Sequence, residues 1–540
     1  MEEPRATTRI NPQVYQTQTG VKTLTIDNQN KKKNIKLTAA QTAIAMAALT
    51  LISKCLGFVR EMVMAGCFGT SYVVDAYVMA QNIPNILFAG ILSAVSTSFM
   101  PLFSEKMEQE GEASGNRFVN EVLNLLLKTS VVVAIFGVVF AKQFVQVFAS
   151  GFTGEQVTLT VFFVKIAFLF LIFTSANNLL TAYLQYKNVF LPQIVFGYLQ
   201  NIIIITFVII GAYVNEKLII FGLLISYTLI NLLLIRLANK KGLKRKFSLE
   251  NSGVAKQIIA LALPVFIGGY VAQINTYVDK MLASGLPEGS VASLNYALII
   301  VSLVSGLTVS IISTITFPKL NQARAAGNQD YYNEMLSKSF NLIFIIAVPF
   351  AMGAMAFSKE VVQVIYERGA FDTTATAMTA VALFWYGPHL AVSALNTPVI
   401  QAFQSHKDMV TPMWIGVVIV AVNVSLNLLL IENMGMAGLA FATSIAGAVG
   451  LVLRMMMLKK KFADVHLIES VSKLIKIALA AGTSVAIANV TYDWLASTVW
   501  MPRLIYLGVA VCLAAMIYLI MLSVLNVQEI EFVKGLFKRK

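Results

Sequence analysis

The sequence predicts an all-α polytopic membrane protein of about 14 transmembrane helices: two parallel six-helix halves followed by two C-terminal helices. Three observations carry this expectation: apolar runs of membrane length, basic residues gathered on one side of the loop series, and an internal repeat. A chain of 540 residues that is 57% hydrophobic and only 13% charged lies far outside the range of soluble globular domains.

A helix needs about 20 apolar residues to cross a hydrocarbon core of about 30 Å. Runs of that kind fall at 38–66, 72–103, 119–148, 156–185, 188–213, 217–238, 256–283, 290–317, 335–365, 374–404, 408–431, 435–458, 468–497 and 502–525. They are continuous and rich in Leu, Ile, Ala and Met. An outer-membrane barrel would instead alternate polar and apolar residues over segments of about ten. The loops FGTS (68–71), SGFTGE (150–155) and SGLPEGS (284–290) hold no basic residue, whereas KKGLKRK (240–246), KLNQARAAG (319–327), HK (406–407) and KKK (459–461) are basic. Lys and Arg mark cytoplasmic loops, so both termini are expected inside. These clusters also account for most of the net charge of +14, which favours an anionic lipid surface over nucleic acid.

The repeat orders the chain. FAKQFVQVF (140–148) returns as FSKEVVQVI (357–365) at an offset of 217, which also carries Pro101 onto Pro318; an offset of 220 carries Lys187 and Pro192 onto Lys407 and Pro412. An even number of helices separates equivalents, so the halves run parallel, an architecture of transporters with a site between the halves. The expected organisation is a basic cytoplasmic tail over 1–36, an N-terminal half over 37–238, a basic linker over 239–255, a C-terminal half over 256–461, helices 13 and 14 within 462–526, and a basic tail over 527–540. Cys55, Cys67 and Cys512 show no disulfide or metal spacing, and His389, His406 and His466 are scattered. With no sizeable extramembrane loop and no His and carboxylate constellation, an enzyme such as a membrane glycosyltransferase is disfavoured, and no cofactor is expected.

Charges inside membrane-length runs are expensive, and usually face one another or a wet cavity. The first run, LISKCLGFVREMVMAGCFG (51–69), carries Lys54, Arg60 and Glu61; Lys54 and Glu61 share one stripe about 10.5 Å apart along the axis. Asp75 opens the second helix. The second half echoes this in TYVDKMLASG (276–285), where Asp279 and Lys280 reverse the charge order of Arg60 and Glu61. Two such pairs on equivalent helices suggest an ionic latch between the halves; two separate local pairs, each of small energy, are the competing reading. Asn423 and Asn427, spaced i and i+4, are candidate oxygen ligands for a cation, although such Asn residues also bond helices together. Lys128 and Lys165 are further cations within membrane runs.

SKCLGFVRE, AGCFGTSYVVDAYVMAQNIPN and YERGAFDTTAT (366–376) resemble signatures of the MurJ lipid II flippase family, within the multidrug/oligosaccharidyl-lipid/polysaccharide exporter superfamily. The similar layout spans about 37–525. The resemblance implies a bacterial plasma-membrane protein of cell wall biogenesis that moves an undecaprenyl-linked peptidoglycan precursor from inner to outer leaflet. It implies a central cationic cavity with Lys54, Arg60 and Asp75 as substrate residues, and a groove for the lipid tail on helices 13 and 14. It also implies lipid-linked oligosaccharide, membrane lipids and cell-wall synthesis proteins as partners, with sodium, protons or membrane potential driving the cycle. The chain departs from the pattern. It lacks the basic residues of one branch after Asn85 and near Tyr296, and LALPVFIGGYVAQINTY offers no acid for a sodium site before Asp279. A flippase for another lipid-linked oligosaccharide stays open beside the first reading, whereas a cation antiporter would want acids in the cavity and only twelve helices.

Overall fold

The computed structural model describes residues 39–245, 275, 277–467, 471–498 and 502–527. Both expected tails, most of the linker and most of the seventh expected helix lie outside these residues.

The first half comprises α1 (Ala39–Phe68), α2 (Tyr72–Gln109), α3 (Glu112–Val139), α4 (Ala141–Phe148), α5 (Gly154–Tyr186), α6 (Leu191–Tyr213) and α7 (Ile219–Lys240). The second comprises α8 (277–283), α9 (Ser290–Ala325), α10 (Gln329–Ala356), α11 (Ser358–Tyr366), α12 (Thr373–Ser405), α13 (Val410–Met434) and α14 (Met436–Lys461). The chain then adds α15 (Val471–Thr498) and α16 (Arg503–Val524). Among the described residues there is no strand, and 11 helices are long and apolar enough to cross a membrane.

Two expected spans are broken. The run at 119–148 divides into α3 and α4 at Phe140 (φ −95°, ψ 15°), and the run at 335–365 divides into α10 and α11 at Phe357 (φ −112°, ψ 28°). Hydropathy reads α4 and α11 as continuations, but both are amphipathic. Val145 and Val362 are buried, while Lys142 and Lys359 are exposed. These short helices are the repeated segment itself, so the repeat marks a turn of the chain. Helices also extend beyond the expected spans, α2 as far as Gln109, because apolar length measures the membrane and not the helix. After α5 and α12 the chain turns through Asn188 (φ 59°) and Lys407 (φ 58°), which are 219 positions apart. The turns therefore match in a register one residue from that of the Lys and Pro pairs.

Close packing inside each half is set by small and polar residues. A Cβ on Gly197 of α6 would lie 2.5 Å from Ser53 Oγ, so α1 and α6 approach closely. Buried pairs bond helices across the first half, Ser130 with Ser175 at 3.0 Å and Asn231 Nδ2 to Asn177 Oδ1 at 2.9 Å, and Thr316 with Ser339 at 3.1 Å does so in the second. The appended pair packs on α10 and α11: Ile477, Ala480 and Ala481 cluster with Ile345, and Tyr518 Oη donates to Ile345 O at 2.8 Å.

Candidate functional site

The two halves meet where α1 and α2 approach α9 and α11, and the hydrogen bonds joining them cluster at one end, opposite the basic loops. Gly289, the residue before α9, has φ 84° and no side chain to cap the helix. Asp75 of α2 supplies the missing cap from the other half. Its Oδ2 accepts from Gly289 N at 2.8 Å and its Oδ1 from Ala292 N at 2.7 Å, with the side chain 1% exposed. Asp75 is one of the residues expected to touch cargo; in this closed arrangement both of its oxygens are engaged in the seal.

Around Asp75 the contact is largely main chain. Ala370 N donates to Gly66 O at 2.8 Å, Tyr296 Oη donates to Gly69 O at 3.2 Å, and Tyr72 N donates to Glu288 Oε1 at 2.8 Å. A Cβ on Gly69 would stand 2.4 Å from Ala370 O, one on Gly289 2.4 Å from Thr70 O, and one on Gly369 2.2 Å from Gly66 O. Beneath these glycines Tyr296, Tyr366 and Phe371 pack in tilted and edge-on contacts at centroid distances of 5.0 to 5.7 Å, and Phe58 of α1 meets Tyr366 at 6.2 Å. The second quoted signature, YERGAFDTTAT, thus builds the seal. Its glycine was legible, but the partner in Gly66 and Gly69, 300 residues away, was not.

The basic residues of α1 lie below the seal. Lys54 is exposed and reaches the other half: a Cβ on Gly306 of α9 would be 3.9 Å from its Nζ. Two turns nearer the seal, Arg60 Nη2 and Nε donate to Glu61 Oε1 at 2.5 and 3.1 Å, and Nη1 reaches Asn201 Oδ1 on α6 at 3.3 Å. Arg60 and Glu61 keep side-chain exposures of 28% and 15%, so the pair is not fully withdrawn from the space between the halves. Lys128 is half-buried and Lys165 exposed.

Asp279, another residue of the expected latch, is engaged within its own half. Among the described residues the four ion pairs each lie within one half. Asp279 is buried inside the second half, where its Oδ1 accepts from Asn427 Nδ2 at 2.6 Å and its Oδ2 from Thr443 Oγ1 at 2.8 Å. A buried carboxylate must find donors, and these are nearer than the facing half. Sequence reading set Asp279 apart from Asn423 and Asn427; the fold joins all three.

That cluster borders a cavity of about 240 Å³ lined by Asn275, Asp279, Lys280, Tyr386, His389 and Thr443 among others. Asn423 joins the same cluster, its amide nitrogen donating to Asp279 Oδ1 at 2.9 Å and its oxygen accepting from Thr443 Oγ1 at 3.3 Å. Asn427 Oδ1 is buried without a partner among the described residues. An orphan amide oxygen, a hydroxyl and a single carboxylate make an oxygen donor set suited to a hard cation of low charge. No group of three or more His, Cys, Asp or Glu able to hold a metal ion occurs among the described residues. Thr443 and His389 gave no sequence signal, since neither carries a charge or stands at a ligand spacing from another polar residue.

On the appended pair, Gly482 faces α10, with a Cβ there 3.8 Å from Met352 Sδ, whereas Ala486 is exposed. Of the two small residues, Ala486 lies on the open face.

Comparison with known proteins gives the following. A family model described as lipid II flippase MurJ matches residues 64–517. The chain is 29% identical over 461 residues to a probable lipid II flippase MurJ of Rhizobium meliloti (strain 1021), covering 83% of this chain and 85% of the relative. It is 26% identical over 518 residues to a protein of the same description from Bdellovibrio bacteriovorus, covering 94% and 97%. Among solved structures it resembles a lipid II flippase MurJ in an inward closed conformation, with a TM-score of 0.77, 24% identity and coverage of 92% and 100%. It also resembles an inward-facing multidrug resistance MATE transporter of the MOP superfamily, with a TM-score of 0.65, 14% identity and coverage of 78% and 98%.

Proposed function

The chain belongs to the lipid II flippase MurJ family, and on that premise we propose that it translocates undecaprenyl-pyrophosphate-linked peptidoglycan precursor across the bacterial plasma membrane by alternating access. The observation that carries the reading is the pairing of a closed end with a cationic wall below it: halves joined through Asp75 and the glycine seam, with Lys54 and Arg60 beneath. The basic loops lie away from the seam, so by the positive-inside rule the seam faces outward and both termini are cytoplasmic.

The physical requirements of such cargo fit these residues. A pyrophosphate cannot enter hydrocarbon alone, and its charge calls for charge-assisted donors. Lys54 offers an exposed ammonium beside Gly306 of the other half, and Arg60 offers a guanidinium held in orientation by Glu61 and Asn201. The polyprenyl tail can stay in lipid. The open face of α15, with Leu479, Ala486 and Val490 exposed, is the wall against which it lies. Asp279, Asn423, Asn427 and Thr443 would hold a sodium ion, which supplies positive charge to offset the buried carboxylate. Cell-wall synthesis proteins are natural partners for the released product.

Depletion of the protein is expected to accumulate lipid-linked precursor on the cytoplasmic face; changed intermediates would indicate an enzyme, and accumulation of a different glycan carrier would indicate another lipid-linked cargo. In that background Lys54→Ala and Arg60→Ala should each insert normally yet fail to restore growth, while Lys54→Arg restores it. Growth sustained by both alanine variants at native expression removes the cationic wall from the mechanism. On the groove, Ala486→Trp should slow transport of full-length lipid in vesicles by about tenfold or more relative to a short-chain analogue, since a bulky ring obstructs only a long tail. Equal loss for both lipids would show a packing defect instead.

A further inference from the structure

The bonds that close the outer end join residues to their own repeat equivalents. Asp75 lies 217 positions before Ala292, whose N–H donates to it, and Glu288 lies 216 positions after Tyr72, whose N–H donates to it in turn. The repeated segments FAKQFVQVF and FSKEVVQVI are offset by the same 217. A residue meets its own copy only beside the axis that relates the copies, so the pseudo-axis of the two halves passes between the N-termini of α2 and α9. Neither helix is capped by its own half. Ser71, before α2, makes no side-chain cap bond and its buried Oγ has no partner among the described residues, while Gly289, before α9, has no side chain. Two helix ends, each carrying roughly half an elementary positive charge, therefore meet at the axis, and each receives a carboxylate from the opposite half.

We propose that Glu288 is the second half's counterpart of Asp75, so that the outer end closes by mutual capping of α2 and α9 and opens as one unit. The two acids are not repeat equivalents: Asp75 sits in the first turn of its helix, and Glu288 just ahead of its own. For that reason no charge pattern in the repeat picks out Glu288. The covering loops are exchanged as well. Gly369, after α11, lies over Gly66 of α1; in the opposite sense Gly151, after α4, lies over the end of α8, where a Cβ on it would stand 2.2 Å from Ser284 O. The offset of 217 carries Gly66 and Gly369 onto Ala283 and Phe152, each one position from this second pair. Each half thus caps a helix of the other and covers a helix end of the other. Parting the halves strips both N-termini of their carboxylates in one step, so the two sides of the seam respond together to the loss of either acid. The inference concerns the closed end alone and holds whatever the cargo.

The test uses the full-length protein in sealed, right-side-out membranes, an impermeant maleimide, and two single-thiol backgrounds. One keeps Cys67, on the α1 side of the seam, with Cys55 and Cys512 changed to Ser; the other carries Ser284→Cys, buried under Gly151 on the α8 side, with all three native cysteines changed to Ser. Glu288 is exposed, so Glu288→Ala removes no core packing and should insert at parental levels. It should speed labelling about fivefold, the usual weight of a helix N-cap, and by the same factor at both thiols. Glu288→Gln, which keeps an acceptor for the Tyr72 N–H but no charge, should fall between it and the parent. Glu216 bonds Tyr72 Oη at 3.2 Å from within the first half, so Glu216→Gln should leave both rates at the parental value. Parental labelling in Glu288→Ala overturns the proposal. So does a split response, in which Glu288→Ala exposes only the Ser284→Cys thiol and Asp75→Asn only Cys67. An effect of Glu216→Gln equal to that of Glu288→Ala would overturn it too, because any loosening of Tyr72 would then suffice.

Discussion

Asp75→Asn is expected to open the sealed end and abolish function without preventing insertion. The carboxylate accepts from two main-chain N–H groups at the start of α9. An amide can accept from only one, and turns its own N–H groups toward the other donor. Losing one charge-assisted bond, together with the favourable charge at a helix N-terminus, removes about 2 to 3 kcal/mol from the closed form, a shift of roughly 30- to 150-fold between open and closed populations. Cys67 is a free, half-buried thiol two residues before Gly69. With Cys55 and Cys512 changed to Ser, it should be labelled by an impermeant maleimide much faster in Asp75→Asn than in the parent. Asp75→Glu should not rescue, because the site is buried and fits the shorter side chain. Parental labelling together with normal growth would remove Asp75 from the closure.

Gly369→Ala should have the same sign and a comparable or larger effect, by a different cause. Gly369 has φ 59°, and a Cβ there would lie 2.2 Å from Gly66 O. The obstacle is main chain and cannot rotate away, so the Ala370 N to Gly66 O bond is lost along with the seam. The left-handed conformation alone costs about 1 to 2 kcal/mol with a Cβ present. Gly327→Ala separates the two contributions: its φ is 68°, but a Cβ there meets nothing within 4 Å. Gly327→Ala should lower Tm slightly and leave Cys67 labelling unchanged, whereas Gly369→Ala should expose Cys67 and arrest transport. Equal behaviour of the two variants would mean that backbone strain, and not the close approach of the halves, is what Gly369 relieves.

The fold was largely legible because membrane thickness and a repeated segment write themselves into local sequence. What hydropathy misread, the breaks at Phe140 and Phe357, it misread for a physical reason: an amphipathic helix of eight or nine residues keeps one apolar face, so its Val, Phe and Ile residues extend the apolar run before it. The site was legible in parts. Lys54, Arg60 and Asp279 stand out because each is a charge in an apolar run. Their assignments depended on which neighbour each one meets, and that is set by pairings such as Asp75 with Ala292 or Asp279 with Thr443, 217 and 164 residues apart. No local pattern encodes such distances, and Thr443 carries no charge to draw attention.

The glycine seam also bears on how readily the halves part. A joint closed by long side chains would freeze their rotamers at each closure, with up to about 2 kcal/mol of lost freedom for every Lys or Arg. Gly66, Gly69, Gly289 and Gly369 have no rotamers to lose, and the atoms they bring together belong largely to turns whose shape is already fixed. At these four glycines closure is therefore nearly free of side-chain ordering, which leaves Asp75, Glu288 and the aromatic cluster as the side chains that must be ordered. A handful of hydrogen bonds is what must break when the joint opens, which keeps the two states close in free energy.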